Sequence, residues 1–245
     1  MSNIEGNSPL HQAAKAGEVD VVKDLLAKGA DKDERNSKGL TPLIIAVIIN
    51  QLNMVQCLLK QGAELEKADN KGSTPFIYAV LFNHIEVLKY LAEQGADKEK
   101  ANNKGSTPLM VATVRKHFEA LRYLVEQGAD KERADNNGYT ALMLAARNGH
   151  LQVLRYLMEQ DADKDKTNND GWTALMLAAS EGHLGVLQYL VEQGADIERA
   201  NSSHGRTALM VAAHKNHLEV LQYLVECSLS TVSNGKLCKD SKYIK

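Results

Sequence analysis

The sequence predicts an all-α protein, helix-turn-helix pairs joined by β-turn arms and stacked as an α-solenoid. Three observations carry that prediction. Gly6, Gly39, Gly72, Gly105, Gly138 and Gly171 are spaced 33 residues apart and Gly205 follows after 34, so the chain is built from a repeated unit. A Ser or Thr stands two residues after each of these glycines, at Ser8, Thr41, Thr74, Thr107, Thr140, Thr173 and Thr207, where a helix N-cap would sit. About ten residues later comes Gly17, Asn50, Asn83, Lys116, Gly149, Gly182 or Asn216; Gly and Asn tolerate the left-handed conformation that ends a helix, and Lys116 is the misfit.

The first helix of each unit opens on Pro9, Pro42, Pro75 and Pro108, then on Ala141, Ala174 and Ala208, at the position where a missing N–H costs no helical bond. A large apolar residue follows (Leu10, Leu43, Phe76, Leu109, Leu142, Leu175, Leu209), and three residues on an alanine (Ala13, Ala46, Ala79, Ala112, Ala145, Ala178, Ala212) lets a neighbouring helix approach closely. The second helix carries apolar residues at i, i+1 and i+4, as in Val87, Leu88 and Leu91, which cover one face. It ends at Gly29, Gly62, Gly95, Gly128 and Gly194, with Asp161 in that place in the fifth unit. A polar segment such as Gly95 to Gly105, rich in Asn, Asp and Gly, then reads as an arm and turn. One helix pair cannot bury both its faces, so the units must stack.

Ser8-Pro9-Leu10-His11-Gln12-Ala13-Ala14, the TPL at Thr41 and Thr107, the TPF at Thr74 and the GAD at Gly29, Gly95, Gly128 and Gly194 make the chain resemble an ankyrin-repeat protein. The resemblance implies seven repeats (6–38, 39–71, 72–104, 105–137, 138–170, 171–204 and 205–227) after a leader of residues 1–5. Residues 228–245 leave the repeat, carry four Lys and one Asp, and are expected to form a disordered basic tail in which Asn234-Gly235 is a weak hairpin signal. The chain departs from the family where the usual His of TPLH is Ile44, Ile77, Met110, Met143, Met176 and Met210, replacing a hydrogen bond with packing, and where the arms carry Lys followed by Asp or Glu.

Composition removes other classes. Hydrophobic residues are 44% and charged residues 24%, so the chain is neither disordered nor collagen-like, and a net charge of −2 gives no reason to expect nucleic acid. The longest apolar runs, Leu43 to Ile49 and Phe76 to Phe82, fall far below the roughly 20 residues a bilayer span needs, so no membrane is expected. Three widely spaced cysteines, Cys57, Cys227 and Cys238, with no signal peptide ahead of Gly6, point to a reducing compartment, the cytoplasm or nucleus.

No catalytic fingerprint, phosphate loop or CxxC pair occurs, so no enzyme, cofactor, metal or small-molecule substrate is expected. His84, His117, His150, His183 and His217 recur at one repeat position and read as architecture; His204, His214 and His217 form the one weak metal alternative. The tyrosines Tyr90, Tyr123, Tyr156, Tyr189 and Tyr223 read as inter-repeat packing rather than a base-stacking platform.

In such an array the repeated residues build the scaffold, and specificity is written where they vary. The resemblance implies that turn tips and first-helix ends line the concave face, and the candidate partner-binding residues are Lys38, Leu40, Ile48, Ile49, Lys71, Leu81, Phe82, Lys104, Arg115, Tyr139, Arg147 and Trp172. Over the varying positions, eight basic residues (these five Lys and Arg with Lys15, Arg206 and Lys215) outnumber Glu5, Asp170 and Glu181. The expectation is a monomeric, non-catalytic scaffold or adaptor that binds an acidic protein segment with apolar anchors. A regulatory or targeting subunit of an enzyme complex, and a nucleic-acid-binding repeat protein, are the alternatives.

Overall fold

A computed structural model describes residues 6–234. Among them are fourteen helices in seven pairs and no strand, divided between Asp130 and Lys131 into two compact units. The first unit pairs α1 (Pro9–Ala16) with α2 (Val19–Ala27), α3 (Pro42–Ile48) with α4 (Leu52–Lys60), α5 (Pro75–Leu81) with α6 (Ile85–Glu93) and α7 (Pro108–Arg115) with α8 (Phe118–Glu126). The second holds α9 (Ala141–Arg147) with α10 (Leu151–Glu159), α11 (Ala174–Glu181) with α12 (Leu184–Glu192) and α13 (Ala208–His214) with α14 (Leu218–Asn234). Within each unit first helices pack on first helices and second on second, which makes each a helix-pair solenoid.

The predicted caps form. The hydroxyls of Thr41, Thr74, Thr107, Thr140, Thr173 and Thr207 accept the N–H three residues on, each satisfying one orphan donor of its helix. Ser8 differs, because its hydroxyl meets His11 Nδ1 at 2.8 Å while His11 Nε2 donates to the Leu40 carbonyl at 2.9 Å. Where His11 is replaced, Ile44, Ile77, Met110, Met143 and Met176 are buried instead. Met210 is the exception at 53% exposed, since among the described residues no further helix pair covers α13 as α13 covers α11.

Asn50, Asn83 and Asn216 take positive φ, as does the misfit Lys116 at 57°. Asp161 does the same at 61° in the place of the second-helix glycine, and its Ala162 N–H still closes on the Leu157 carbonyl at 3.0 Å. Residues 228–234, expected to belong to the tail, continue α14. Ser228 occupies the position where α6, α8 and α12 are followed by Gly95, Gly128 and Gly194, so nothing there favours the left-handed turn that stops those helices. The remaining tail, with Gly235 of the hairpin signal, lies outside the described residues, as does the leader 1–5.

The histidine column is architectural. His84 Nδ1 donates to the Val47 carbonyl at 2.8 Å, His117 Nδ1 to Val80 at 3.0 Å, His183 Nε2 to Arg147 at 3.0 Å and His217 Nε2 to Ser180 at 2.9 Å. Each ring thereby satisfies a carbonyl near the end of the first helix of the repeat before its own. The tyrosine column is half-buried at Tyr90, Tyr123, Tyr156 and Tyr189 and buried at Tyr223, with the Arg155 guanidinium 4.6 Å from the Tyr189 ring centroid.

Candidate functional site

An Asn or Asp three residues before Gly39, Gly72, Gly105, Gly138 and Gly171 builds the tip that carries the candidate residues. Asn36 Oδ1 accepts the N–H groups of Lys38 (3.0 Å) and Leu40 (2.9 Å), and Asp69 Oδ1 those of Lys71 (2.9 Å) and Ser73 (2.7 Å). Asn102 holds Lys104 and Ser106, Asp135 holds Asn137 and Tyr139, and Asn168 holds Asp170 and Trp172 in the same way. At the 34-residue interval Asn201 Oδ1 reaches Arg206, one residue further on, so the extra residue does lengthen that turn. Lys38, Lys71 and Lys104 therefore project from fixed backbone and are exposed, while Leu40, Tyr139 and Trp172 are half-buried.

The tips are tied to each other, which the sequence reading missed. Asn70 N–H donates to the Lys38 carbonyl at 3.2 Å and its side-chain amide to the Ser37 carbonyl at 3.1 Å; Asn103 does the same to Lys71 (2.9 Å) and Asn70 (3.2 Å), and Asn169 to Asn137 and Asn136 (both 3.1 Å). A Cβ on Gly72 would lie 2.3 Å from Asn103 Oδ1 and 2.8 Å from its backbone nitrogen, so this position excludes any side chain. Asn70, Asn103 and Asn169 are thus structural, and the recurrence of Asn at this position in four repeats was the available signal.

In the first unit the structure brings Leu40, Ile48 and Ile49 together. With Ile45, Asn7, Lys15 and Asn36 they line a cavity of about 180 Å3. Ile45 is 7% exposed, and Ile48 and Ile49 are half-buried, so these residues belong partly to the core and partly to the surface. Leu81 and Phe82 do not join this cavity. Phe82, 45% exposed, stacks on Tyr78 with ring centroids 6.3 Å apart and on His84 at 5.8 Å. The Tyr78 hydroxyl donates to Asp69 Oδ2 at 2.8 Å; burial, then that bond and the Asp69 charge, raise its pKa far above the ordinary tyrosine value.

Lys15, Lys71, Lys104 and Arg115 are exposed and have no ion pair among the described residues. In the second unit Arg147 sits 5.6 Å from the Tyr139 ring centroid, which unites two candidate residues, and half-buried Trp172 lies one repeat further on. No group of three or more His, Cys, Asp or Glu among the described residues has metal-binding geometry, and no described helix is long and apolar enough to cross a membrane.

A family model described as ankyrin repeats (3 copies) matches residues 10–102, 95–168 and 160–234. No curated protein matches the chain.

Proposed function

The chain belongs to the ankyrin-repeat family, whose repeats are protein-interaction modules, and from that premise we propose that it is a non-catalytic scaffold or adaptor. Its partner is a protein segment that is acidic and carries large apolar anchors, bound on the first-helix ends and turn tips, the concave face of the family. The observation that carries this reading is that the unpaired, exposed Lys15, Lys71, Lys104 and Arg115 belong to the same unit as exposed Phe82 and the Leu40–Ile48–Ile49 cavity wall. Cations without intramolecular carboxylates leave their attraction available to a partner, and apolar side chains ringed by charge are the anatomy of a binding patch. The tips are fixed by their own hydrogen bonds, so binding there needs little ordering on this side. The working place is the cytoplasm or nucleus, as a monomer.

Capture of partners by the wild type and by an Ile49→Lys, Phe82→Asp double variant tests the reading. Proteins retained by the first and lost by the second, with circular dichroism and melting unchanged, are expected. Equal capture would place binding elsewhere, and a basic partner would remove the electrostatic part.

A further inference from the structure

We propose that the cavity between the first two repeats is a subsite for one aliphatic side chain adjacent to a carboxylate, the leucine-and-acid element of an acidic peptide. This rests on the reading of the surrounding face as a protein-binding surface and deepens it. The cavity has a lining of two kinds because two repeat columns change character between neighbouring repeats. Asn7 and Leu40 are the same position one repeat apart, and so are Lys15 and Ile48. The first repeat therefore supplies a polar wall and the second an aliphatic one. A ligand satisfying both must have an apolar part and a charged or polar part.

The polar wall also sets the sign of that charge. The Asn36 amide is committed, its Nδ2 donating to Asn7 Oδ1 at 2.8 Å and its Oδ1 closing the tip on Lys38 and Leu40. Lys15 is exposed in the last turn of α1 with no ion pair among the described residues, so the group on offer is an ammonium. A carboxylate answers it and a basic ligand is repelled. At about 180 Å3 the space is below the roughly 300–1,000 Å3 of small-molecule sites, which suits one side chain rather than a metabolite. Its aliphatic wall has no aromatic member, whereas Phe82 stacks on Tyr78 and His84 one repeat further on.

The probes are 4-methylpentanoate, a leucine side chain carrying a carboxylate, and its amide, 4-methylpentanamide, followed by isoleucine-methyl NMR on the full chain. The acid should shift the methyls of Ile45, Ile48 and Ile49 with affinity of the order of millimolar, as befits so small a ligand. The amide should bind about threefold to fivefold more weakly, and Lys15→Gln should bring the acid down to the amide's level. Ile49→Phe, which fills the cavity while keeping it apolar, should abolish the shifts at Ile45 and Ile48 with melting unchanged. Equal binding of acid and amide, persistence of the preference in Lys15→Gln, or absence of shifts at these methyls would overturn the subsite. Any of those results combined with partner loss in the Ile49→Lys, Phe82→Asp variant would leave the broader binding face standing.

Discussion

The arms and the first-helix face of the first unit draw on the same charged residue types and use them in opposite ways. In the arms charge is spent on architecture: Asp33 Oδ1 accepts the Glu64 N–H at 2.8 Å, Glu66 Oε1 that of Asp97 at 2.9 Å and Glu99 Oε1 that of Asp130 at 2.8 Å. Lys100 Nζ in turn stands 3.4 Å from Glu66 Oε2. The second unit repeats the device, with Glu132 accepting from Asp163, Asp165 from Asp196, and Lys166 Nζ 3.3 Å from Glu132 Oε2. On the face, Lys15, Lys71, Lys104 and Arg115 meet no such partner among the described residues. A carboxylate that replaces a missing backbone partner is part of the fold, while an unpaired cation on a fixed tip is available for recognition.

The largest expected break in this contrast is Asp33→Ala. Asp33 is 7% exposed, and its loss strands the Glu64 N–H, so stability should fall by about 1–3 kcal/mol in denaturant unfolding. Lys71→Ala, on an exposed tip, should stay within about 0.5 kcal/mol of wild type. Equal costs at the two sites would erase the distinction between architectural and available charge.

Charge reversal on the face sharpens the comparison from the binding side. Lys38→Glu with Lys71→Glu should slow association with the captured partner about tenfold at low ionic strength and flatten its salt dependence. Phe82→Ala should act mainly on dissociation, since an anchor stacked between Tyr78 and His84 is felt after encounter. Surface plasmon resonance at two salt concentrations separates these effects, and an association rate untouched by the reversal would remove electrostatic steering.

What could be read in the sequence was whatever acts within one repeat. The Thr caps, the left-handed Asn and the small residues of the first helices follow from local backbone chemistry and the structure forms them as expected, while the misfit Lys116 takes the left-handed conformation its position requires. The histidines were legible as a column, although their acceptors, such as Val47 for His84, were not. What stayed hidden acts between repeats. The carboxylate ladder joins residues 31 apart, as Asp33 to Glu64, and the tip bonds join residues 33 apart, as Asn70 to Ser37. Neither separation is visible without the stacking register, so the arm carboxylates looked like added surface charge. The cavity was half legible: Leu40, Ile48 and Ile49 were named for their variability, but that Asn7, Lys15 and Asn36 share its lining depends on how two repeats sit together.

The smallest expected effect concerns the entrance to an arm in the second unit. Asp161 holds φ 61° where Gly194 holds 76° one repeat later, so the same cap is made by a residue with a Cβ and by one without. A left-handed non-glycine residue costs about 1 kcal/mol, less for Asp than for a branched side chain, and glycine returns part of the gain through the entropy of the unfolded chain. Asp161→Gly should therefore raise stability by up to about 1 kcal/mol. Asn83→Gly, at φ 57°, should change it by only a few tenths, because Asn already tolerates this region. Because Asp161 is exposed and makes no ion pair among the described residues, the gain should be independent of salt, unlike the face variants. A gain that vanished at high ionic strength would mean that Asp161 acts through its charge, as the cations on the face do, and not through the backbone geometry of its cap.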